Sequence, residues 1–319
     1  MDTQTVYWGE KRYFSLDYYI KQKFGEKLYK LPLNAGCTCP NRDGTLGTRG
    51  CIFCSRGGSG DFVPSSALSV TLQIEQAKKL VEKKHTGSSY IAYFQAYTNT
   101  YAPLEHLRAV FFEAVSHPDI KVLSIATRPD CLGGEVLHLL EELNQIKPVW
   151  VELGLQTIHE KSADFIRRGY SLPVFHRAAA SLRARQIETI VHVILGLPGE
   201  DFPMMLDTIG YLNQMDIQGI KLQMLHILKD TDLADYYEAH PFSILSMEEY
   251  FDILGQCISH LRPDIVLHRL TGDGPKPLLI APQWSRYKRH VLNQMQSYLK
   301  RNDIWQGKEF SHGKCIETL

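Results

Sequence analysis

From about residue 68 onward the chain alternates two hydrophobic rhythms. Apolar positions three and four apart in LQIEQAKKLVEKK, LEHLRAVFFEAVSH, LGGEVLHLLEELNQ, SLPVFHRAAASLRARQ and MMLDTIGYLNQM predict amphipathic helices. Between them, SYIAYFQAY, IKVLSIATR, VWVELGLQ, ETIVHVILGLP and GIKLQMLHIL predict short strands. Strands alternating with helices at this spacing imply right-handed βαβ units and a parallel sheet. If LYKLPLNAG enters first, six strands follow one another, with the later five near residues 91, 122, 150, 190 and 220. The expected fold class is α/β: three-quarters of a (β/α)8 barrel, that is, a partial (β/α)6 TIM barrel.

In parallel α/β folds ligands bind at the carboxyl ends of the strands, so polar residues just after each strand are the first candidates for chemistry. Here they are a cysteine-bearing loop, Gln95 to Asn99, Thr127 to Asp130, Glu152 to Gln156, Gly196 to Glu200 and His226 to Thr231. No linker or repeat divides the chain. The expected organisation is an N-terminal extension (1–30), the barrel (31–240) and a C-terminal helical extension (241–319) packed on it.

Thirty-five basic and 35 acidic residues among 319 give a net charge of zero, so the average field does not favour nucleic acid or membrane. Any such binding must come from a local patch. The N-terminus lacks a basic-then-apolar leader and no apolar run has the length of a membrane span, so a cytoplasmic protein without membrane contact is expected.

Seven cysteines form an odd set in a chain too large to need disulfide staples, and reduced thiols are expected. Cys131, Cys257 and Cys315 are isolated; Cys37, Cys39, Cys51 and Cys54 cluster. The CIFC pair alone fits half a zinc ribbon, a redox dithiol or a cluster site. No second CxxC follows, and adding Cys39 gives C-x11-C-x2-C on one loop in which Gly44, Gly47 and Gly50 let the backbone turn around a bulky object. That suits a [4Fe–4S] cluster better than tetrahedral zinc. Three thiolates leave one iron open, and an open metal position is a place for chemistry. Cys37 competes with Cys39 for the third place, or all four close the site.

The runs TCPNRDGT, CIFC and GSGDF, with the polar strand ends downstream, resemble the radical S-adenosylmethionine (SAM) superfamily, and specifically the bacterial family typified by YtqA and YhcC. The resemblance covers about residues 25 to 275. It implies a barrel of the radical SAM type, and it places the cluster ligands on Cys39, Cys51 and Cys54. The spacing departs from the superfamily's common C-x3-C-x2-C and is similar to that of the catalytic subunit of Elongator, which also carries a TRPD run like Thr127 to Asp130. By this resemblance SAM chelates the open iron, one electron splits its sulfonium, and a 5′-deoxyadenosyl radical results.

Residue roles follow from the resemblance as expectations. Gly58, Ser59, Gly60 and Asp61 contact the methionyl end of SAM, unless Asp61 merely caps the next helix. Arg128 holds the SAM carboxylate, with Thr127 near the ribose, unless Arg128 simply pairs with Asp130. Glu152 and Gln156 bind ribose hydroxyls or substrate, Gln95 belongs to the same cofactor set, and Gly196 shapes a turn around adenine. His226 and Lys229 are the candidate catalytic groups; His192 reads as a core histidine or a catalytic one. The basic, aromatic tail from Gln283 either grips tRNA or packs as an ordinary amphipathic helix. The implied substrate is RNA, with a tRNA wobble uridine foremost, and the electron donor a flavodoxin or ferredoxin. Competing readings are radical chemistry on a small metabolite or peptide, and a cluster- or zinc-binding protein without turnover.

Overall fold

The computed structural model describes residues 7–58, 60, 61, 63–82, 87–272 and 274–311. Its main sheet is built from β1 (Tyr29–Leu33), β2 (Tyr90–Phe94), β3 (Ile120–Thr127), β4 (Val149–Gln156), β5 (Glu188–Leu195) and β6 (Gly219–Met224), adjacent in chain order and parallel throughout. A short ribbon pairs β7 (Ile227–Leu228) with β9 (Leu279–Ala281), and β8 (Val266–Arg269) joins β6 to give the main sheet a seventh strand. The sheet curls into an open barrel. The seventh strand arises where a helical extension was expected, because VLHR is too short to show a period of its own. Its outer edge is covered: Leu267 donates its N–H to the Phe14 carbonyl at 2.7 Å.

Helices α1 (Leu16–Phe24), α2 (Val70–Val81), α3 (Leu104–Ser116), α4 (Gly134–Ile146), α5 (Glu160–Phe165), α6 (Leu172–Arg183), α7 (Phe202–Asn213), α8 (Asp232–Ala239), α9 (Met247–His260) and α10 (Lys288–Arg301) complete the fold. Their starts are written in the sequence. Ser15, Ser69, Asp201 and Thr231 cap α1, α2, α7 and α8 through their side chains, and Ser246 with Glu249 forms a reciprocal capping box on α9.

Alternation along each strand sends one set of side chains outward and the other into the barrel. The outward set, including Leu33, Phe94, Leu123, Val151, Val193 and Leu222, packs with Ile74, Phe111, Leu140, Phe175, Ile209 and Leu254 from the helices in one core. Each fully buried side chain of this size contributes about 1.5–3 kcal/mol. Phe111, with no exposed surface and its ring 5.2 Å from that of Phe94, is a position where truncation to alanine would cost about 3–5 kcal/mol.

The inward set changes character along the axis. Ile91, Val122, Trp150 and Ile190 close the bottom against Ile20 of α1 and Leu28. Above them stand Lys30, Tyr93, Ser124, Glu152, His192 and Lys221, joined by hydrogen bonds among themselves. The strand ends and the cysteine loop lie above that layer, where polar strand-end residues alternate with apolar ones such as Pro32, Ala126, Ile194 and Leu225, so the barrel is apolar at its base, polar at mid-height and mixed at its mouth.

Candidate active site

The barrel encloses a cavity of about 970 Å³, at the upper end of the usual range for small-molecule sites of about 300–1,000 Å³. Cys39, Cys51, Cys54, Arg42 and Gly58 line it near the strand ends, and Lys30, Tyr93, Glu152, His192 and Arg269 line it deeper.

The cysteine loop runs from the end of β1 to α2 and is held from several sides. Arg42 and Asp43 donate their N–H groups to the Cys39 carbonyl, and Cys54 N–H donates to the Cys51 carbonyl. The Ile52 N–H bonds the Ile166 carbonyl at 3.2 Å and the Ile52 carbonyl accepts from Leu233 N–H at 2.9 Å, tying the loop to the segments around α5 and α8. Arg42 reaches across to the carbonyls of Cys54 (3.0 Å) and Ser55 (2.6 Å). Asn41 Nδ2 bonds the Arg167 carbonyl at 2.8 Å and points at Cys51 Sγ at 3.4 Å. Gly44 and Gly50 adopt positive φ (96° and 77°), as a tight loop requires, whereas Gly47 does not.

Burial pushes the Cys51 thiol up to about 12 and raises Cys54 as well, with Arg42 pulling Cys54 the other way. Protons must therefore leave as a metal arrives, as in thiolate sites generally. Cys37 is different in kind. It is 7% exposed, packs within the main hydrophobic core, does not line the cavity, and burial pushes it up to about 12.

Beyond the cysteines, Gly58 (φ 56°) approaches Tyr97 so closely that a Cβ would lie 2.2 Å from its ring. Gly60 packs on Ala96, where a Cβ would stand 2.6 Å from the methyl group, and it does not line the cavity. Ser59 lies outside the described residues. Asp61 lines the cavity and accepts from Ser55 Oγ at 2.8 Å; the cap of α2 is Ser69, not Asp61. Gln95 and Thr127 line the cavity, with Thr127 Oγ1 2.5 Å from Thr100 Oγ1. Arg128 also lines it, but its guanidinium is engaged by Asp130 through two bonds of 2.9 and 2.8 Å, and it sits over the Tyr170 ring.

Gln156 takes the left-handed conformation (φ 67°), unusual for a non-glycine residue, and its buried Oε1 has no hydrogen-bond partner among the described residues. An acceptor stranded in a cavity wall suits a ligand that brings a donor, as the ribose hydroxyls or ammonium of SAM do. The three cysteines lining the same space, and Gly58, whose missing Cβ lets the Tyr97 ring pack against it in the cavity wall, suit a cluster with SAM beside it.

Glu152, fully buried, is engaged within the protein. Oε1 accepts from Lys30 (2.6 Å) and Ser124 (2.9 Å), and Oε2 accepts from His192 Nε2 (2.8 Å) and from Lys221. Burial alone would raise its carboxyl; Lys221 and Lys30 outweigh that and hold it well below the usual carboxylate range. Burial and Lys221 together lower His192 to about 4, so its ring is neutral near pH 7.

Gly196 (φ 82°) turns the chain after β5 against Leu245 and does not line the cavity. His226 lines it, with Nε2 3.1 Å from Ser285 Oγ. Lys229 does not: its side chain is exposed while its N–H bonds the Leu278 carbonyl at 2.7 Å. The tail packs most of its aromatics. Trp284 donates to the Leu245 carbonyl (3.0 Å), Tyr298 stacks near Phe251, and α10 buries Val291, Met295 and Leu299. Tyr287 is the exception, 69% exposed within the exposed run Arg286 to His290.

Lys30, Lys221 and Arg42 were not singled out from the sequence. A signal existed for two of them: strands of the barrel carry a charged residue at an otherwise apolar inward position, Lys30 in YKLPL and Lys221 in GIKLQM as much as Glu152 in VWVELGLQ. Arg42 gives no such sign, because its role depends on a loop path that has no period.

Comparison with known proteins agrees with this geometry. Residues 43–212 match the Radical SAM superfamily and residues 217–301 the Radical_SAM C-terminal domain. YtqA of Bacillus subtilis is 42% identical over 301 residues, 94% of each chain. The tRNA uridine(34) acetyltransferase of Methanocaldococcus jannaschii is 24% identical over 161 residues, 50% of this chain and 29% of that protein. Among solved structures, Elp3 of Methanocaldococcus infernus superposes with a TM-score of 0.67 at 14% identity, covering 88% of this chain and 64% of that one. A curled parallel sheet with three cavity-facing cysteines after its first strand is thus accounted for by descent: the chain belongs to the radical SAM superfamily, enzymes that use a [4Fe–4S] cluster and S-adenosylmethionine.

Proposed function

We propose that this enzyme cleaves S-adenosylmethionine reductively inside the barrel and directs the resulting chemistry at RNA, with a tRNA uridine as the substrate. The bound cluster and SAM supply a 5′-deoxyadenosyl radical. Cys39, Cys51 and Cys54 hold the cluster, and the embedded loop carbonyls keep Arg42 beside them. Gln156 Oε1 accepts a donor of SAM, the close contact of Gly58 with Tyr97 shapes the wall beside it, and the apolar bottom layer excludes water from below. Electrons come from a flavodoxin or ferredoxin, and the protein works in the cytoplasm.

The observation carrying the RNA reading is the link between His226 and the basic run. His226 lines the cavity and contacts Ser285, and the next residues, Arg286, Tyr287, Lys288, Arg289 and His290, are all exposed. Cations beside an unpacked aromatic ring form a local patch suited to phosphates and a stacked base on a chain whose net charge is zero. The resemblance to a tRNA uridine(34) acetyltransferase over half of this chain supports the same substrate class.

The test is binding of total tRNA by the reconstituted protein at several salt concentrations. Affinity should fall steeply with salt, and replacing Arg286, Lys288 and Arg289 together by glutamine should weaken binding at least tenfold and flatten the salt slope. Undetectable or salt-insensitive binding favours the second reading, a small-molecule substrate, to which the polar floor of the cavity already gives a foothold.

A further inference from the structure

Two side chains on the cavity wall hold hydrogen-bonding capacity that the protein does not use. The first is His192 on β5, its side chain 18% exposed and lining the cavity. Its Nε2 faces Oε2 of Glu152 at 2.8 Å, and Lys30 and Lys221 hold that carboxyl ionised, so Nε2 carries the hydrogen. Burial and Lys221 keep the ring neutral near pH 7, which leaves a lone pair on Nδ1. Nδ1 makes no hydrogen bond among the described residues, so the imidazole offers the cavity an acceptor. The second is Gln223 on β6, half-buried in the same wall, whose side-chain amide makes no hydrogen bond among the described residues. Register puts the two on one inward face. His192 stands opposite Lys221, and Gln223 follows Lys221 by two residues, about 6.6 Å further along the strand.

Charged neighbours on this wall are committed within the protein: Lys30 and Lys221 contact Glu152, and Arg128 is held by Asp130. The capacity that His192 and Gln223 add is neutral, an acceptor on the imidazole beside a carboxamide with donors and an acceptor of its own. A carboxylate or phosphate would set its lone pairs against Nδ1, so the pair suits an uncharged reactant in which an N–H group adjoins a carbonyl. Side chains with adjacent donors and acceptors are what read the edges of unstacked bases. In uracil, N3–H adjoins the C4 carbonyl on the side of the ring away from N1. A nucleotide extruded into the barrel keeps its ribose and phosphates at the mouth and therefore leads with that edge.

We propose that His192 and Gln223 read the base of the substrate, Nδ1 accepting from N3–H of a uracil ring inside the barrel and the Gln223 amide donating to its C4 carbonyl. The pair thereby selects for an N–H at this position. Methylation of N3 replaces the hydrogen with a bulky group, and cytosine sets a second lone pair there against Nδ1. This rests on the reading that a uridine is the substrate, and it names the residues that would recognise it; its test does not require turnover.

Anaerobic fluorescence anisotropy with the reconstituted, SAM-loaded protein, without reductant, uses one RNA hairpin in three versions, with a single uridine, 3-methyluridine or cytidine at the same loop position. The uridine hairpin should bind at least tenfold more tightly than either of the others. His192→Phe and Gln223→Leu should each remove most of that preference. Gln223 has no side-chain hydrogen bond within the described residues to lose, so its variant carries the test even if His192→Phe does not fold. Equal or undetectable binding of the three hairpins, or a preference kept in folded Gln223→Leu, overturns the inference. Lowered SAM affinity of Gln223→Leu in equilibrium dialysis also overturns it, by placing that residue on the cofactor. If total tRNA still binds with a steep salt dependence, the RNA reading survives each of these results; if it does not bind, both fall.

Discussion

His192 Nε2 lies 2.8 Å from Oε2 of Glu152 inside the barrel, and the hydrogen bond fixes that imidazole as the neutral Nε2–H tautomer. The consequence is a pH-dependent stability. The folded pKa, about 4, lies below the ordinary 6.5, so the unfolded chain takes up a proton at His192 between those values and the folded chain does not. Stability contributed by this group is complete above pH 6.5 and is lost as pH falls toward 4. Between pH 6.5 and 5 the loss should be about 2 kcal/mol. Urea unfolding at the two pH values should show a loss smaller by about that amount in His192→Gln than in the unsubstituted protein, because the buried His268 imidazole, also held well below its ordinary value, contributes to both; equal losses would contradict the assignment.

Glu152→Gln should destabilise the fold by about 3–5 kcal/mol, since it removes the one carboxylate from between Lys30 and Lys221. Glu142→Gln, at the partly exposed pair with Arg108 on the surface, should cost under about 1 kcal/mol. Denaturant midpoints for the two variants provide the comparison, and similar costs would mean that the buried network does not behave as a unit.

Gly58→Ala should lower SAM affinity at least tenfold while the protein still folds. Its Cβ would lie 2.2 Å from the Tyr97 ring, and Tyr97 Oη is itself tied to the Arg56 carbonyl at 2.7 Å, so the ring cannot simply swing away. Gly25→Ala is the control. It has a similar positive φ (76°) after α1 with nothing within 4 Å, and should cost only the conformational term of about 1–2 kcal/mol without affecting SAM. Equilibrium dialysis with SAM distinguishes the two; equal affinities would remove the cradle role of Gly58.

What could be read from the sequence tracks how local each cause is. Helices with capping residues and strands with apolar runs were legible, and the first six strands occur where their patterns put them; β8 was not, because four residues carry no period. Glu152 stood out as a charge in an apolar strand, yet its partners Lys30 and Lys221 come from strands 122 and 69 residues away in sequence, and only the closed sheet brings them together. The placement of Lys229 outside the cavity has a related reason. The residue follows β7, whose ribbon with β9 carries it to the surface rather than into the barrel. Cys37 and Cys39 differ by two positions, which in an irregular loop decides nothing about direction; packing sends Cys37 into the core and Cys39 to the cavity.

The central claim is that Cys39, Cys51 and Cys54, and not Cys37, hold the cluster at which SAM is cleaved. The direct measurement is 5′-deoxyadenosine formed from SAM and dithionite after anaerobic reconstitution, with iron content and visible absorption recorded for each variant. The unsubstituted protein and Cys37→Ala should both be brown and form 5′-deoxyadenosine, whereas Cys39→Ala, Cys51→Ala and Cys54→Ala should each lose the chromophore and the product. An intact, reduced cluster that yields no 5′-deoxyadenosine, or loss of the cluster in a folded Cys37→Ala with retention in Cys39→Ala, would contradict the account.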